Sequence, residues 1–309
     1  MNGTFSIVLG SILGLLTVAS LIAFVLQLRA TEPKAVATVE NLNARIRSWW
    51  IMVVIFGGAI LLGRTETTIL FGILSFMALR EFWTLTPSKR GDHLALFLSF
   101  FVVLPLQYLL VGIAWYGMFA IFIPVYAFLI LPAVATIAGD TNEFLARSAK
   151  VQWGLMLTVY SISHAPALLM LDTGTPPALL LVYLVIVVQL SDVFQYVWGK
   201  LLGRHRFSPN ISPSKTVEGL VGGGCSAILI GTLLYRLTPF SPLQAAGVST
   251  VIVIAGFFGG FVLSAIKRDL KAKDWGYLIE GHGGVLDRLD SITFAAPLFF
   301  HITRYWFTS

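Results

Sequence analysis

Apolar runs of membrane-crossing length govern what this chain can fold into. A helix needs roughly 17–25 apolar residues to cross a bilayer. Runs that reach or approach this length recur at 5–27, 49–63, 67–83, 94–115, 116–138, 151–171, 177–198, 219–236, 245–266 and 291–307. Of the 309 residues, 57% are hydrophobic and 12% charged, against about a quarter charged in soluble domains. The expectation is an all-α polytopic membrane protein of about ten transmembrane helices. The range is eight to ten, because the second and third runs are short enough for a tight hairpin or a partly re-entrant pair. The first run lacks a basic start and is longer than a signal-peptide core, so it reads as a retained transmembrane helix.

Loop charges test the count. Seventeen of the twenty-one Lys and Arg fall in odd-numbered connections between the runs, from Arg29, Lys34, Arg45 and Arg47 in the first to Lys267–Arg288 in the ninth. A wrong count would scramble that alternation. The bias of Lys and Arg toward the cytoplasm predicts both termini outside and the basic loops cytoplasmic, with a bacterial inner membrane as the expected location. Trp49, Trp50, Trp83, Trp115, Trp153 and Trp306 sit at span ends, where amphipathic rings anchor at the interface.

The charge pattern also excludes functions. A net charge of +6 on a soluble chain would suggest nucleic acid. Here the cations lie between apolar spans, which suits an anionic membrane surface and anionic substrates, with no nucleic acid. The lone cysteine, Cys225, cannot form an internal disulfide. No internal repeat is visible, which argues against a transporter built from inverted halves. The expected organisation is 1–150 as N-terminal helices with a cytoplasmic linker at 28–48, and 151–309 as a catalytic region.

Two polar stretches carry the chemistry. In 191–224, Asp192 sits in the cytoplasmic half of a span, and an intramembrane carboxylate is a functional candidate with a structural ion pair as its competitor. Lys200 and Ile211-Ser212-Pro213-Ser214-Lys215-Thr216 follow. Ser212 before Pro213 predicts an N-cap and a first helical residue, whose free N–H groups, with Lys215, would face an anion. In 264–290, Lys267, Arg268, Lys271, Lys273 and Arg288 mix with Asp269, Asp274, Asp287 and Asp290 around Gly281-His282-Gly283-Gly284. Cations and glycine amides suit phosphoryl oxygens, and carboxylates suit Mg²⁺. Asp287 is the leading metal ligand, against pairing with Arg288 or Lys267. His164 and His301 read as core or lining residues, and Arg80–Glu81 as a structural ion pair.

Residues Ser264, Lys267, Arg268, Lys273, Asp274, Gly276, His282, Gly283, Gly284, Asp287, Arg288 and Asp290 fall at the spacing of the phosphatidate cytidylyltransferase signature, and the upstream SD…ISPSKT.EG stretch also resembles that family. The likeness is strong over 185–300, and the N-terminal half is similar to a divergent paralogous branch. The resemblance implies Mg²⁺-dependent transfer of CMP from CTP to phosphatidate, giving CDP-diacylglycerol and pyrophosphate, with K⁺ as a second candidate ion and a homodimer as a candidate assembly. It assigns catalysis to Asp192, Asp287, Lys215, Lys267 and Arg268. Nucleotide binding falls to Lys200, Ser212, Ser214, Lys273, His282, Gly283, Gly284 and Arg288, and metal binding to Asp192 and Asp287, with Asp269, Asp274 or Glu280 as stand-ins. Three positions depart from the pattern. Glu280 stands where Pro or Gly is expected, Gln195 where Ala is usual, and Gly260 where the family carries a metal-binding Asp. These departures keep two alternatives open: a paralogue with altered lipid or nucleotide substrate, and a weakly active lipid-binding or scaffolding protein.

Overall fold

The computed structural model describes residues 3–29, 31–279 and 283–308. Helices dominate: α1 (Gly3–Arg29), α2 (Pro33–Leu62), α3 (Arg64–Leu85), α4 (Arg90–Gly112), α5 (Tyr116–Thr136), α6 (Phe144–Met170), α7 (Pro177–Leu202), α8 (Val217–Leu237), α9 (Pro242–Asp269) and α10 (Leu286–Phe307). Between α7 and α8 lies a two-stranded antiparallel hairpin, β1 (Arg206–Ser208) and β2 (Ser212–Thr216). Among the described residues, nine helices are long and apolar enough to cross a membrane. The tenth, α10, opens on Asp287, Arg288 and Asp290 and falls outside that set. The chain is an integral membrane protein of all-α architecture. Helices satisfy every backbone hydrogen bond internally, which the bilayer core demands.

Local sequence explains the breaks. Proline opens α2, α7 and α9 at the first helical turn, where its missing N–H costs nothing. Ser241 and Gln244 form a reciprocal capping box at the start of α9. Gly63 separates α2 from α3 with φ +135°, a backbone region closed to other residues. The expected linker at 28–48 is largely helical, because α2 runs unbroken from Pro33 to Leu62. The second span is therefore long rather than short.

One buried apolar cluster joins the two halves of the chain, from Ile60 and Phe71 to Phe299 and Phe300, and α6 runs straight through position 150. The α7 and α8 backbones pack closely. A Cβ on Gly223 would come 2.4 Å from the Gln195 backbone nitrogen, and one on Gly219 would come 2.7 Å from the Gln195 carbonyl oxygen. Small residues of this kind let helix backbones approach closely in membranes. The C-terminal ends of α7 and α9 and the N-terminal ends of α8 and α10 meet at one end of the bundle, where the polar stretches collect.

Candidate active site

A cavity of about 240 Å³ lies where these helix ends meet, lined by Asp192, Lys215, Asp287, Arg288, Asp290 and Ser291 among others. The two polar stretches of the sequence thus share one cavity. Asp192 projects from α7, and Asp290 and Ser291 from the second turn of α10. The Ser291 hydroxyl donates to Asp192 at 2.9 Å, with the second oxygen at 3.2 Å, and lies 3.4 Å from Asp290 Oδ1. The Ser291 amide donates to Asp290 Oδ1 at 2.7 Å. Neither acid has a partner among the described ion pairs.

Lys215, at the end of β2, supplies the nearby positive charge. Its Nζ lies 4.6 Å from the centre of the Phe257 ring and donates to the Phe257 carbonyl at 3.4 Å. Burial pulls its pKa below the ordinary lysine value, while the charges of Asp192 and Asp290 push the other way. Arg288 lines the cavity from the exposed side of α10.

Several expected site residues have other partners. Asp287 reaches the cavity wall, but its carboxylate is taken up. Oδ1 accepts from Lys267 Nζ at 2.6 Å, and Oδ2 accepts from the amides of Trp275 at 2.8 Å and Gly284 at 3.0 Å. The structural competitor foreseen for Asp287, pairing with Lys267, is the arrangement found. Asp290 instead stands beside Asp192. Ser212 does not cap a helix, because Ser212–Thr216 is extended and paired with β1. Thr216 is the N-cap of α8 and accepts from the Gly219 amide at 3.1 Å. Ser214 does line the cavity.

Other candidates lie off the cavity wall. Lys200 sits over the Tyr196 ring at 5.8 Å. Arg268 donates to the carbonyls of Ile211 and Ala272. Asp269 and Lys273 are exposed, and Asp274 packs beside Gly283. Gly283 needs its glycine conformation, φ +82°. Gly284 is packed so closely that a Cβ would sit 2.4 Å from Glu81 Oε2. Glu280 and His282 lie outside the described residues. The rings of buried His164 and half-buried His301 lie 5.2 Å apart, tilted by 57°.

Two contributions escaped the sequence reading. Ser291 is visible only as the residue after Asp290. Glu81, expected to pair with Arg80, instead accepts from the amides of Val285 and Leu286, both at 2.9 Å.

The described residues hold no cluster of three or more His, Cys, Asp or Glu suited to a metal. Two carboxylates are nevertheless the usual protein share for Mg²⁺, which keeps waters and takes further ligands from substrate phosphates. Two acids that share one hydroxyl, with no ion-pair partner among the described residues, fit such an ion.

Residues 43–306 match the model of the cytidylyltransferase family. The chain belongs to the cytidylyltransferase family. It is a nucleotidyltransferase, and family membership supports CTP as the nucleotide donor. It is 41% identical over 301 residues to a protein of Escherichia coli (strain K12) named uncharacterized protein YnbB, covering 96% of this chain and 97% of the relative. It is 39% identical over 120 residues to the phosphatidate cytidylyltransferase of Staphylococcus aureus (strain COL), covering 38% of this chain and 46% of the relative. The corresponding enzyme of Aquifex aeolicus (strain VF5) is 38% identical over 141 residues, 41% of this chain and 53% of the relative. The matches to these two enzymes thus span about half of each relative's length.

Proposed function

We propose that this cytidylyltransferase transfers CMP from CTP to phosphatidate, forming CDP-diacylglycerol and pyrophosphate. A phosphate oxygen of the lipid attacks the α-phosphorus of CTP, and the bond from that phosphorus to the bridging oxygen of the β-phosphate breaks. The nucleophile is already anionic at neutral pH, so no protein base is needed. Positioning and charge neutralisation carry the reaction, as in phosphoryl transfer generally.

The observation that carries this reading is the Asp192–Ser291–Asp290 arrangement beside Lys215 in one cavity. Asp192 and Asp290 would hold Mg²⁺, which supplies charge neutralisation to the triphosphate when bound. Lys215 and Arg288 take phosphate oxygens, and Thr216 caps α8 so that its N-terminus lies on the same wall. Asp287 and Lys267 hold the loop that leads into α10. The acyl chains remain in the bilayer. The site faces the cytoplasm, as the basic loops suggest, in a bacterial inner membrane.

The test is an assay of purified protein with CTP and phosphatidate, run against other phospholipids and nucleoside triphosphates, with and without Mg²⁺. Mg²⁺-dependent CDP-diacylglycerol formation is expected. Preference for another lipid or nucleotide would select the altered-substrate reading, towards which Gln195 points. No liponucleotide with any pair would leave a binding or scaffolding role.

A further inference from the structure

Glu81 lies near the end of α3, far from both polar stretches in sequence and absent from the cavity wall. It is buried, and among the described ion pairs it has no basic partner. Its two oxygens accept one N–H each from Val285 and Leu286. These are amides that a helix start leaves without intrahelical acceptors.

The start of α10 cannot cap itself in full. Asp287 reaches back to the Gly284 amide, which is the acidic half of a capping box. The other half needs an oxygen-bearing side chain just before the helix. Val285, already helical at φ −64° and ψ −43°, offers none, and Gly284 has no side chain. A side chain at 284 would also collide, because its Cβ would lie 2.7 Å from the Gly276 backbone nitrogen and 2.4 Å from Glu81 Oε2. A Cβ on Gly276 would likewise come 2.7 Å from Glu81 Oε1. The neighbouring Phe82 ring stacks on Trp275 at 5.6 Å. Glu81 therefore supplies from another helix the cap that the local sequence omits, and its negative charge sits at the positive end of the α10 dipole.

We propose that Glu81 is a positioning residue: it fixes the first turn of α10 and thereby aims Asp290 and Ser291 at Asp192. This rests on the reading of the cavity as the active site. A shift of about 1 Å at such a site costs on the order of 10²-fold in rate.

The experiment compares full-length protein in nanodiscs with Glu81→Gln, which keeps the shape and exchanges one acceptor for a donor. Gly284→Ala tests the same contact from its other side. Amide hydrogen exchange at Val285 and Leu286 is followed together with kcat and KM. Faster exchange at these amides by about tenfold is expected, with kcat down on the order of 10²-fold and KM for phosphatidate within about twofold. A merely structural loss would lower the folded fraction and leave kcat per folded molecule unchanged, and that result overturns the proposal. Unchanged exchange in both variants overturns it too. If the parent shows no CTP-dependent turnover, the proposed function fails on its own, and the exchange measurement alone decides whether Glu81 holds α10.

Discussion

Lys215 Nζ lies 3.2 Å from the point where a side chain on Gly260 would begin, and Asp290 Oδ2 lies 3.3 Å from the same point. Gly260 therefore belongs to the wall of the acid pair. Where the family resemblance calls for a carboxylate, this chain has no side chain, and an ammonium and a carboxylate close on the position. Gly260→Asp would place a third carboxylate beside Asp290 and Lys215. Tighter divalent binding is expected, by about tenfold, because the ligand charge count rises. Mn²⁺ titration of the purified protein measures it directly, and an unchanged affinity would show that position 260 does not face the ion.

The two acids of the first turns of α10 differ in their partners. Asp290→Asn removes one of the two carboxylates at the proposed ion site, so turnover falls on the order of 10³-fold with little change in thermal stability. Asp287→Asn strands the buried ammonium of Lys267, which costs about 3–5 kcal/mol of stability. Thermal unfolding and kcat measured on both variants separate these effects. Greater destabilisation by Asp290→Asn than by Asp287→Asn would reverse the assignment.

Burial lowers the pKa of Lys215 from the ordinary value of 10.5. The ammonium is therefore complete on the acid side and is lost as pH rises, at a lower pH than for an exposed lysine. Turnover that depends on it declines along the same limb. Stability responds in the opposite sense, because the cost of the buried charge is fully present below the folded pKa and is relieved as pH rises. Lys215→Arg keeps its charge throughout and is expected to abolish the alkaline decline. The check is the pH profile of kcat/KM for both proteins.

Gly223 faces the backbone of Gln195 across the α7–α8 contact. Gly223→Ala needs the helices to part, since the new atom would lie 2.4 Å from a backbone nitrogen. A loss of about 1–3 kcal/mol is expected from overpacking, with reduced turnover because Asp192 and Lys215 sit on the elements that flank this contact. A stability equal to the parent's would show that the two helices are free to separate.

Much of the fold was legible because lipid leaves the backbone few choices. The apolar runs at 94–115, 177–198 and 245–266 correspond to α4, α7 and α9, whose bounds differ by a few residues at their polar ends. Residues 33–48 were not legible as helix, since their polar character matches a loop as well as a cytoplasmic extension of α2. Ser212-Pro213 matched the composition of a helix start, yet pairing with β1 holds the segment extended and moves the cap to Thr216.

From the sequence alone came the membrane architecture, the family and the two polar stretches that share a cavity. Composition and run length carry the architecture, and the family rests on the resemblance borne by the two polar stretches. Only the tertiary structure decided which partners each acid finds. Asp287 and Asp290 lie three residues apart on neighbouring positions of one helix surface, and nothing in their spacing distinguishes them. Packing brings Lys267 and two loop amides to the first, and Asp192 with a shared hydroxyl to the second. It likewise brings Glu81 across 204 residues to the start of α10, because a buried N–H must find an acceptor wherever the fold provides one.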